Sequence, residues 1–474
     1  MLTFEDLAAL SQDEKARADF VLKLIGEYQA SPAYKTAVEA QAYYDGENPT
    51  IMRYEKILYD MAGRAHVDMW TANHKIASAF FTFVIDQEIS YLLGNGVLFG
   101  QDGTKDRLGE DFDQEMMDAL EAARIGGTAY GFWNLDHVEV FTALEFAPLY
   151  GEETGALMAG VRFWQLAADK PLRATLYEPD GYTEFIKRKG QDLLILRPKR
   201  AYKQRIQGSQ ADGQQIVDGE NYAGFPVVPL YANKSHKSAL IGRRNTIDAL
   251  DLATSNMVNN VDEGSLIYWV LTNCGGMDDL DDARFIERLK TLHVSHADGD
   301  AGASATAHTV EAPFEGTKVT IDMLEDRLYA DFQAFDAKSM TAADMSATAI
   351  RAGYTRIDLK TDKIERQMTR FILGLLNIAG IKDKPSYQRN RLLNEMEETQ
   401  KYTMQAQWFD DDYIRQKLLA LNGDIDMLEE ISKRMDAEDA NRLKDLEKRL
   451  KEMEAQGEEN GRENSNGNIG GATA

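Results

Sequence analysis

The sequence predicts an α+β protein, mainly α, in which long helices bracket a β insertion at about 126–231. Two patterns predict this. Eight of the ten prolines lie in residues 1–229, and only Pro313 and Pro385 lie beyond. Proline breaks helix interiors, so the second half has room for long helices. Apolar residues recur every three or four positions on both sides of the middle, whereas the middle carries short β-branched and aromatic runs cut by Gly, Pro and Asp. The 474 residues, 43% hydrophobic and 28% charged, allow several folded domains.

The elements follow in order. Residues 3–30 read as one helix, with Thr3 as cap and Glu5 and Asp6 in its first turn. Ser31-Pro32 ends it, and a helix at about 33–44 stops in the turn from Asp45-Gly46 to Pro49. Residues 72–93 read as helix, with Ile76, Phe80, Phe83, Val84 and Leu92 near one face and Gly94-Asn95-Gly96 as the stop. Residues 111–125 are helical. Strands are expected at Thr128–Asn134, Val138–Thr142, Met158–Trp164, Arg173–Glu178 and Leu193–Arg197, in a hairpin region ending near Pro226–Pro229.

After Tyr231 the helical period returns. Ile247, Leu250, Thr254, Met257 and Val261, with Leu240 in front, set a helix of about 25 residues, roughly 40 Å long. Residues 272–318 are mixed, with an acidic turn at Asp278 to Asp282, a short helix, and a Gly/Ala/Ser/Thr-rich loop at 297–309. Ile321–Phe335 is expected as helix, Thr341–Thr355 as a small, polar loop, and Arg356–Ile378 as helix again. Residues 386–455 read as almost all helix, with a seam at Leu443, Leu446, Leu450 and Met453. Residues 456–474 have no apolar face and are expected to be disordered.

Charge and composition exclude several function classes. Lys and Arg number 53 against 78 Asp and Glu, a formal charge of −25, which argues against gripping nucleic acid by phosphate neutralisation. No apolar run approaches the ~18–20 residues of a membrane helix. The opening Met-Leu-Thr-Phe-Glu-Asp is acidic, unlike a secretory signal. The single cysteine, Cys274, cannot form an internal disulfide and fits a reducing compartment.

Catalytic and ligand motifs are wanting. Gly94-Asn95-Gly96…Gly100 has the wrong spacing for a dinucleotide fingerprint and follows a helix, and no P-loop is present. His293 and His296, with His308 as a possible third, lack a zinc constellation. Asp278, Asp279, Asp281 and Asp282 lack the Gly and Glu of a calcium loop, so they read as a solvated turn before a helix. No nucleophile elbow appears. Neither catalytic residues nor cofactor nor metal is expected. One pattern stands out. Arg356, Lys360, Lys363, Gln367 and Arg370 step by 4, 3, 4 and 3, one mostly basic helix face. It reads either as a solvated or inter-subunit face, or as a rail beside a polyanion.

A set of segments in fixed order goes further. Tyr43-Tyr44-Asp45-Gly46 comes first. Asn73-His74-Lys75-Ile76 then leads through Phe83-Val84-Ile85-Asp86 to Ser90-Tyr91-Leu92-Leu93-Gly94. Gly127-Thr128-Ala129-Tyr130, Gly224-Phe225-Pro226 through Asn233, and Asp344-Met345-Ser346-Ala347-Thr348-Ala349-Ile350 complete the set, the last with Ala347 where glycine is usual. In order and spacing across about 40–380 the chain resembles the portal proteins of tailed bacteriophages, of the siphophage type.

The resemblance implies a ring of about twelve subunits at one capsid vertex. Double-stranded DNA would pass through its axis without sequence-specific reading. It implies a wing at 1–235, a first stem helix at 236–268, a clip at 269–319, a second stem helix at 320–339, a tunnel loop at 340–355, a wing or channel helix at 356–385 and a helical crown at 386–455. Lys338, Met345, Ser346, Arg351, Arg356 and Lys360 would line the DNA channel. Asp278, Asp279, Asp281 and Asp282 would dock partners at the clip, and Tyr268 and Trp269 would pack in the ring interface. The implied partners are other copies of the chain, the terminase large subunit (which carries the ATPase), the head–tail adaptor, the scaffold and the major capsid protein, with no membrane. The implied place is the virion, after assembly in the host cytoplasm. A non-ring intracellular helical scaffold or adaptor would suit the acidic tail and the heptad seam equally well.

Overall fold

A computed structural model describes residues 2–10, 13–59, 63–68, 72–101, 103–209, 215–264, 267–272, 304–309, 314–336, 347–390, 395–422, 430–435, 437–438, 440–449 and 451. The protein is mixed α+β. It divides into two compact units, one of residues 1–342 with 352–390 and one of 343–351 with 391–474.

The first unit opens with α1 (Phe4–Ala9), α2 (Glu14–Ala30), α3 (Pro32–Tyr44) and α4 (Pro49–Met52). The single helix expected at 3–30 is therefore two, each with its own start signal. Thr3 and Asp6 form a capping box on α1, and the Asp13 carboxylate accepts from the amides of Lys15 and Ala16 to cap α2. A small hairpin follows, β1 (Ile57–Tyr59) with β2 (Ala65–Val67). Next come α5 (Phe80–Leu93), β3 (Val97–Phe99) and α6 (Phe112–Gly126).

The β region holds ten strands among the described residues: β4 (Thr128–Asn134), β5 (His137–Thr142), β6 (Phe146–Tyr150), β7 (Leu157–Trp164), β8 (Leu172–Glu178), β9 (Gly181–Lys187), β10 (Leu193–Arg200), β11 (Lys203–Ser209), β12 (Gln215–Glu220) and β13 (Val227–Tyr231). All five expected strands are present. β6 to β10 form an antiparallel sheet in meander order, β13-β4-β5 forms a second, and β11-β12 a third. One face of the five-stranded sheet is closed by α2. Val21, Leu24 and Ile25 bury against Leu149, Val161, Leu176 and Phe185. Burying each such side chain fully contributes about 1.5–3 kcal/mol.

Beyond the sheets, α7 (Arg244–Gly264) is followed by β14 (Ile267–Thr272), paired with β15 (Ser304–Thr309). Helix α8 (Phe314–Phe332) packs on α7, and the chain continues through α9 (Ala347–Ala379) and β16 (Pro385–Tyr387), which pairs with β3. The face of α9 that carries Ile364, Met368, Phe371, Ile372 and Leu375 joins the main core with α5, α6 and β4. Glycines permit the close approach. A Cβ on Gly131 of β4 would lie 2.5 Å from the Phe371 ring, and one on Gly374 of α9 would lie 2.7 Å from Val228 of β13.

Residues 72–79 depart from the helical expectation. They run extended beside α7, bound by its side chains. Asp251 accepts from the Ser78 amide at 3.0 Å, Ser255 from the Ile76 amide at 3.0 Å, and Asn259 from the His74 amide at 2.7 Å. The match is metrical. Four residues of helix rise about 6 Å, close to the ~6.6 Å covered by two residues of extended chain. Acceptors on successive turns thus meet every second amide.

Other expectations also change at their edges. The first stem helix ends at Gly264, so Tyr268 and Trp269 lie on β14, a run of β-branched and aromatic residues. The loop expected to 355 is helical from Ala347, because Ala347, Ala349, Ile350 and Ala352 suit a helix better than a loop. The Ala/Thr end of the expected 297–309 loop forms β15. In the second unit, α10 (Glu395–Gln405) contacts α11 (Asp411–Asn422), whose start is capped by Asp410 accepting from the Tyr413 amide at 2.6 Å. Helix recurs over the described residues from 430 to 451, which include Leu443 and Leu446 of the expected seam. Leu450, Met453 and the tail 456–474 lie outside the described residues.

Candidate functional site

Helix α9 spans 33 residues and sorts its charges by face. Its buried side reads Ile357, Lys360, Thr361, Ile364, Met368, Phe371, Ile372, Leu375 and Leu376. Its open side exposes Arg356, Leu359, Lys363, Arg366 and Arg370, spaced 3, 4, 3 and 4. Among the described residues no ion pair engages these four cations.

The acids of α9 are held apart from that row. Arg389 binds Asp358 at 2.8 Å, Glu365 at 3.0 Å and also Asp362. The Tyr91 hydroxyl donates to Asp358 at 2.6 Å, and the Asn390 amide donates to the Tyr91 carbonyl at 3.0 Å, which fixes Arg389 beside α5. Burial alone would lower the pKa of Arg389, but Asp362, Glu365 and Asp358 raise it above its ordinary value. One arginine therefore offsets three carboxylates, and the opposite row keeps a net positive charge.

Lys360 lies on the inner face. Its ammonium pairs with Glu88 of α5 and donates to the Phe332 carbonyl at the end of α8. Arg124 of α6 donates from Nε to Glu88 at 2.6 Å and from Nη2 at 3.3 Å. Arg243 stacks over the Phe332 ring at 5.0 Å and donates from Nε to the Asp331 carbonyl at 2.9 Å. The last carbonyls of a helix have no partner within it and carry its negative dipole end, so two cations here close the C-terminus of α8. Burial would raise the pKa of Glu88, yet Arg124 and Lys360 together hold it below the usual carboxylate range. Burial pulls Lys360 down to about 8 against the opposing effect of Glu88. Arg243 is lowered by burial and by Arg124. The cluster joins α5, α6, α8 and α9 through a single carboxylate.

Of the residues singled out from the sequence, Arg356 is exposed on α9 as expected, whereas Lys360 is not. The correction is physical: an ammonium engaged by Glu88 and a helix-end carbonyl inside the subunit cannot also meet a polyanion outside it. The exposed row turns by about one residue, so that Arg366 replaces Lys360 and Gln367 in the pattern. Arg351 lies on the first turns of α9. Tyr268 and Trp269 pair with His308 and Ala307 across β14 and β15. Lys338, Met345, Ser346, Asp278, Asp279, Asp281 and Asp282 lie outside the described residues, as do His293 and His296. Sequence reasoning missed Glu88, Arg124, Arg243 and Arg389. A signal for the first was present, since Glu88 is a lone glutamate within the apolar run Phe80–Leu93.

Among the described residues no group of three or more His, Cys, Asp or Glu side chains could hold a metal ion, and no helix is long and apolar enough to cross a membrane. The arrangement is that of a rigid frame presenting a charged helix face.

A family model described as phage portal protein, SPP1 Gp6-like, matches residues 29–459. The portal protein of Clostridium phage phiCD119 is 22% identical over 390 residues, covering 76% of this chain and 84% of that protein. The portal protein of Bacillus phage SPP1 is 24% identical over 370 residues, covering 73% and 69%. Among solved structures, a chain from the neck of an empty GTA particle, computed with C6 symmetry, aligns with a TM-score of 0.41 at 10% identity, covering 72% of this chain and 90% of that one.

Proposed function

We propose that this chain, which belongs to the SPP1 Gp6-like family of phage portal proteins, closes into a ring of about twelve subunits at one vertex of a phage capsid. Double-stranded DNA passes through this ring during packaging and ejection. The ring is a docking platform for the terminase large subunit and the head–tail adaptor, and it meets the scaffold and major capsid protein in the shell. The subunit is structural and performs no catalysis. Assembly takes place in the host cytoplasm, and the finished ring belongs to the virion.

The observation that carries this reading is the exposed row Arg356, Lys363, Arg366 and Arg370 on a rigidly anchored helix, within a chain of net charge −25. A conduit must touch DNA without holding it. Each neutralised phosphate adds affinity through counterion release, and a ring repeats every contact. A sparse basic row in an acidic body gives local attraction with weak overall grip. Arg351, Lys338, Met345 and Ser346, in and just ahead of the start of α9, are proposed to line the same channel. The acidic turn from Asp278 to Asp282 is proposed to dock partners, and Tyr268 and Trp269 to lie in the contact between subunits.

Native mass spectrometry with negative-stain imaging tests the ring. Twelve chains of 53.2 kDa give a closed particle near 640 kDa. A folded monomer or a two-fold dimer at high concentration, across salt conditions, would overturn the proposal in favour of a non-ring helical adaptor.

A further inference from the structure

The hairpin β1–β2 is unsupported in the isolated subunit. Its strands have three residues each, paired Ile57 to Val67, Leu58 to His66 and Tyr59 to Ala65, and all six residues are exposed. Ile57 is 56% exposed and Tyr59 71%, with Leu58 and Val67 exposed beside them. A two-stranded hairpin is marginal in water by itself. A contiguous apolar patch on such an element marks a contact surface.

The same chain carries a concave apolar counterpart. A cavity of about 560 Å³ opens between the junction of α2 and α3 and the strands behind it, lined by Leu2, Leu24, Tyr28, Pro32, Ala33 and Tyr150. Its volume falls within the roughly 300–1,000 Å³ of sites that bury a ligand-sized group. Charge also matches. The rim carries Glu27, and Glu5 and Glu152 stand beside Tyr150, where the Glu152 amide donates to Glu5 at 3.1 Å. The hairpin is flanked by Arg53, Lys56, Arg64 and Lys75. In an acidic chain this basic stretch is complementary to that acidic rim.

We infer that the hairpin of one subunit, led by Tyr59 and Ile57, seats in the Tyr28–Tyr150 cavity of the next copy. A knob and a pocket at different places on one chain make a heterologous contact, which propagates head to tail and closes when the rotation allows. The inference rests on the ring reading and names one of its contacts.

The test uses the full chain with Cys274→Ser as background and places cysteines at Tyr59 and Ala33. A disulfide needs Cα atoms within roughly 7 Å, so only direct seating links them. Under mild oxidation the doubly substituted protein should give a ladder of covalent multimers, and each single substitution should give none. Tyr59→Asp should lower the ring fraction at least tenfold at fixed concentration. Its melting temperature should stay near that of the parent, because Tyr59 is outside the core. A background ring that forms normally, with no ladder and no loss from Tyr59→Asp, would overturn this contact alone. A background protein that stays a folded monomer would overturn the ring reading and this contact with it.

Discussion

Glu88 and Lys360 meet inside the subunit, their side chains 1% and 11% exposed, with Arg124 on the far side of the same carboxylate. The two halves of this pair are not equivalent. Replacing Lys360 with Met leaves Glu88 paired to Arg124. Replacing Glu88 with Gln leaves Arg124, Lys360 and Arg243 around a neutral amide. Removing one partner of a buried ion pair costs about 3–5 kcal/mol. Urea unfolding should therefore show Glu88→Gln in that range and Lys360→Met well below it. Equal costs would mean that Glu88 is not the common counter-ion of the cluster.

The pair also makes a pH prediction, and its sign follows from the direction of the shift. Lys360 is pulled by burial from 10.5 to about 8 in the folded chain. Between those values the unfolded chain holds a proton that the folded chain has released, so the contribution of Lys360 to stability rises with pH. Glu88 faces the same lysine from α5, with Arg124 from α6, and Arg243 lies nearby; none of these titrates in this window. The stability of wild type minus that of Lys360→Met should therefore shift in favour of wild type from pH 8 to 10.5. A flat difference would show that Lys360 keeps its proton in the fold.

How far the sequence could be read follows from which partners are local. The period of α9 was legible from residue spacing, and so was its basic character. The burial of Lys360 was not, because its partner Glu88 and the Phe332 carbonyl are distant in sequence. A helical wheel cannot distinguish a charge facing water from one facing a buried carboxylate. Residues 72–79 failed for the same reason. Ile76 and Phe80 have helical spacing, but the amides of His74, Ile76 and Ser78 find acceptors on α7. Strand β6 escaped because Pro148 interrupts its pattern, whereas β4 and β7, free of proline, were readable.

The strap along α7 should loosen one rung at a time. Asn259→Ala removes the acceptor for the His74 amide and should cost about 1 kcal/mol, in line with the removal of a single hydrogen bond. Hydrogen exchange read by residue should speed at His74 first, with Ser78 least affected, because Asp251 still holds it. Uniform loss of protection over 74–78 would show that the strap opens as a unit.

Arg389 joins three carboxylates on α9, two of them well exposed, so its effect should be screened by salt. Arg389→Ala should destabilise by about 1–2 kcal/mol at low ionic strength, and by visibly less in 0.5 M salt. Arg389→Lys should recover only part, because an ammonium cannot span Asp358 and Glu365 as the planar guanidinium does. Full rescue by lysine would reduce the cluster to a matter of net charge.

The exposed row on α9 separates folding from transport. Lys363, Arg366 and Arg370 lie outside the core, and surface substitutions of this kind usually alter stability by no more than about 0.5 kcal/mol. The triple variant Lys363→Glu, Arg366→Glu, Arg370→Glu should therefore melt near wild type and assemble to the same ring mass. If the row faces DNA, the salt dependence of DNA association by assembled rings should flatten by roughly one unit of log–log slope for each phosphate that a subunit no longer neutralises. DNA packaging should fall with it. If instead the row packs on a neighbouring subunit, the ring mass should fall before any effect on DNA is measured. An intact ring with unchanged salt slope and unchanged packaging would remove these cations from the channel.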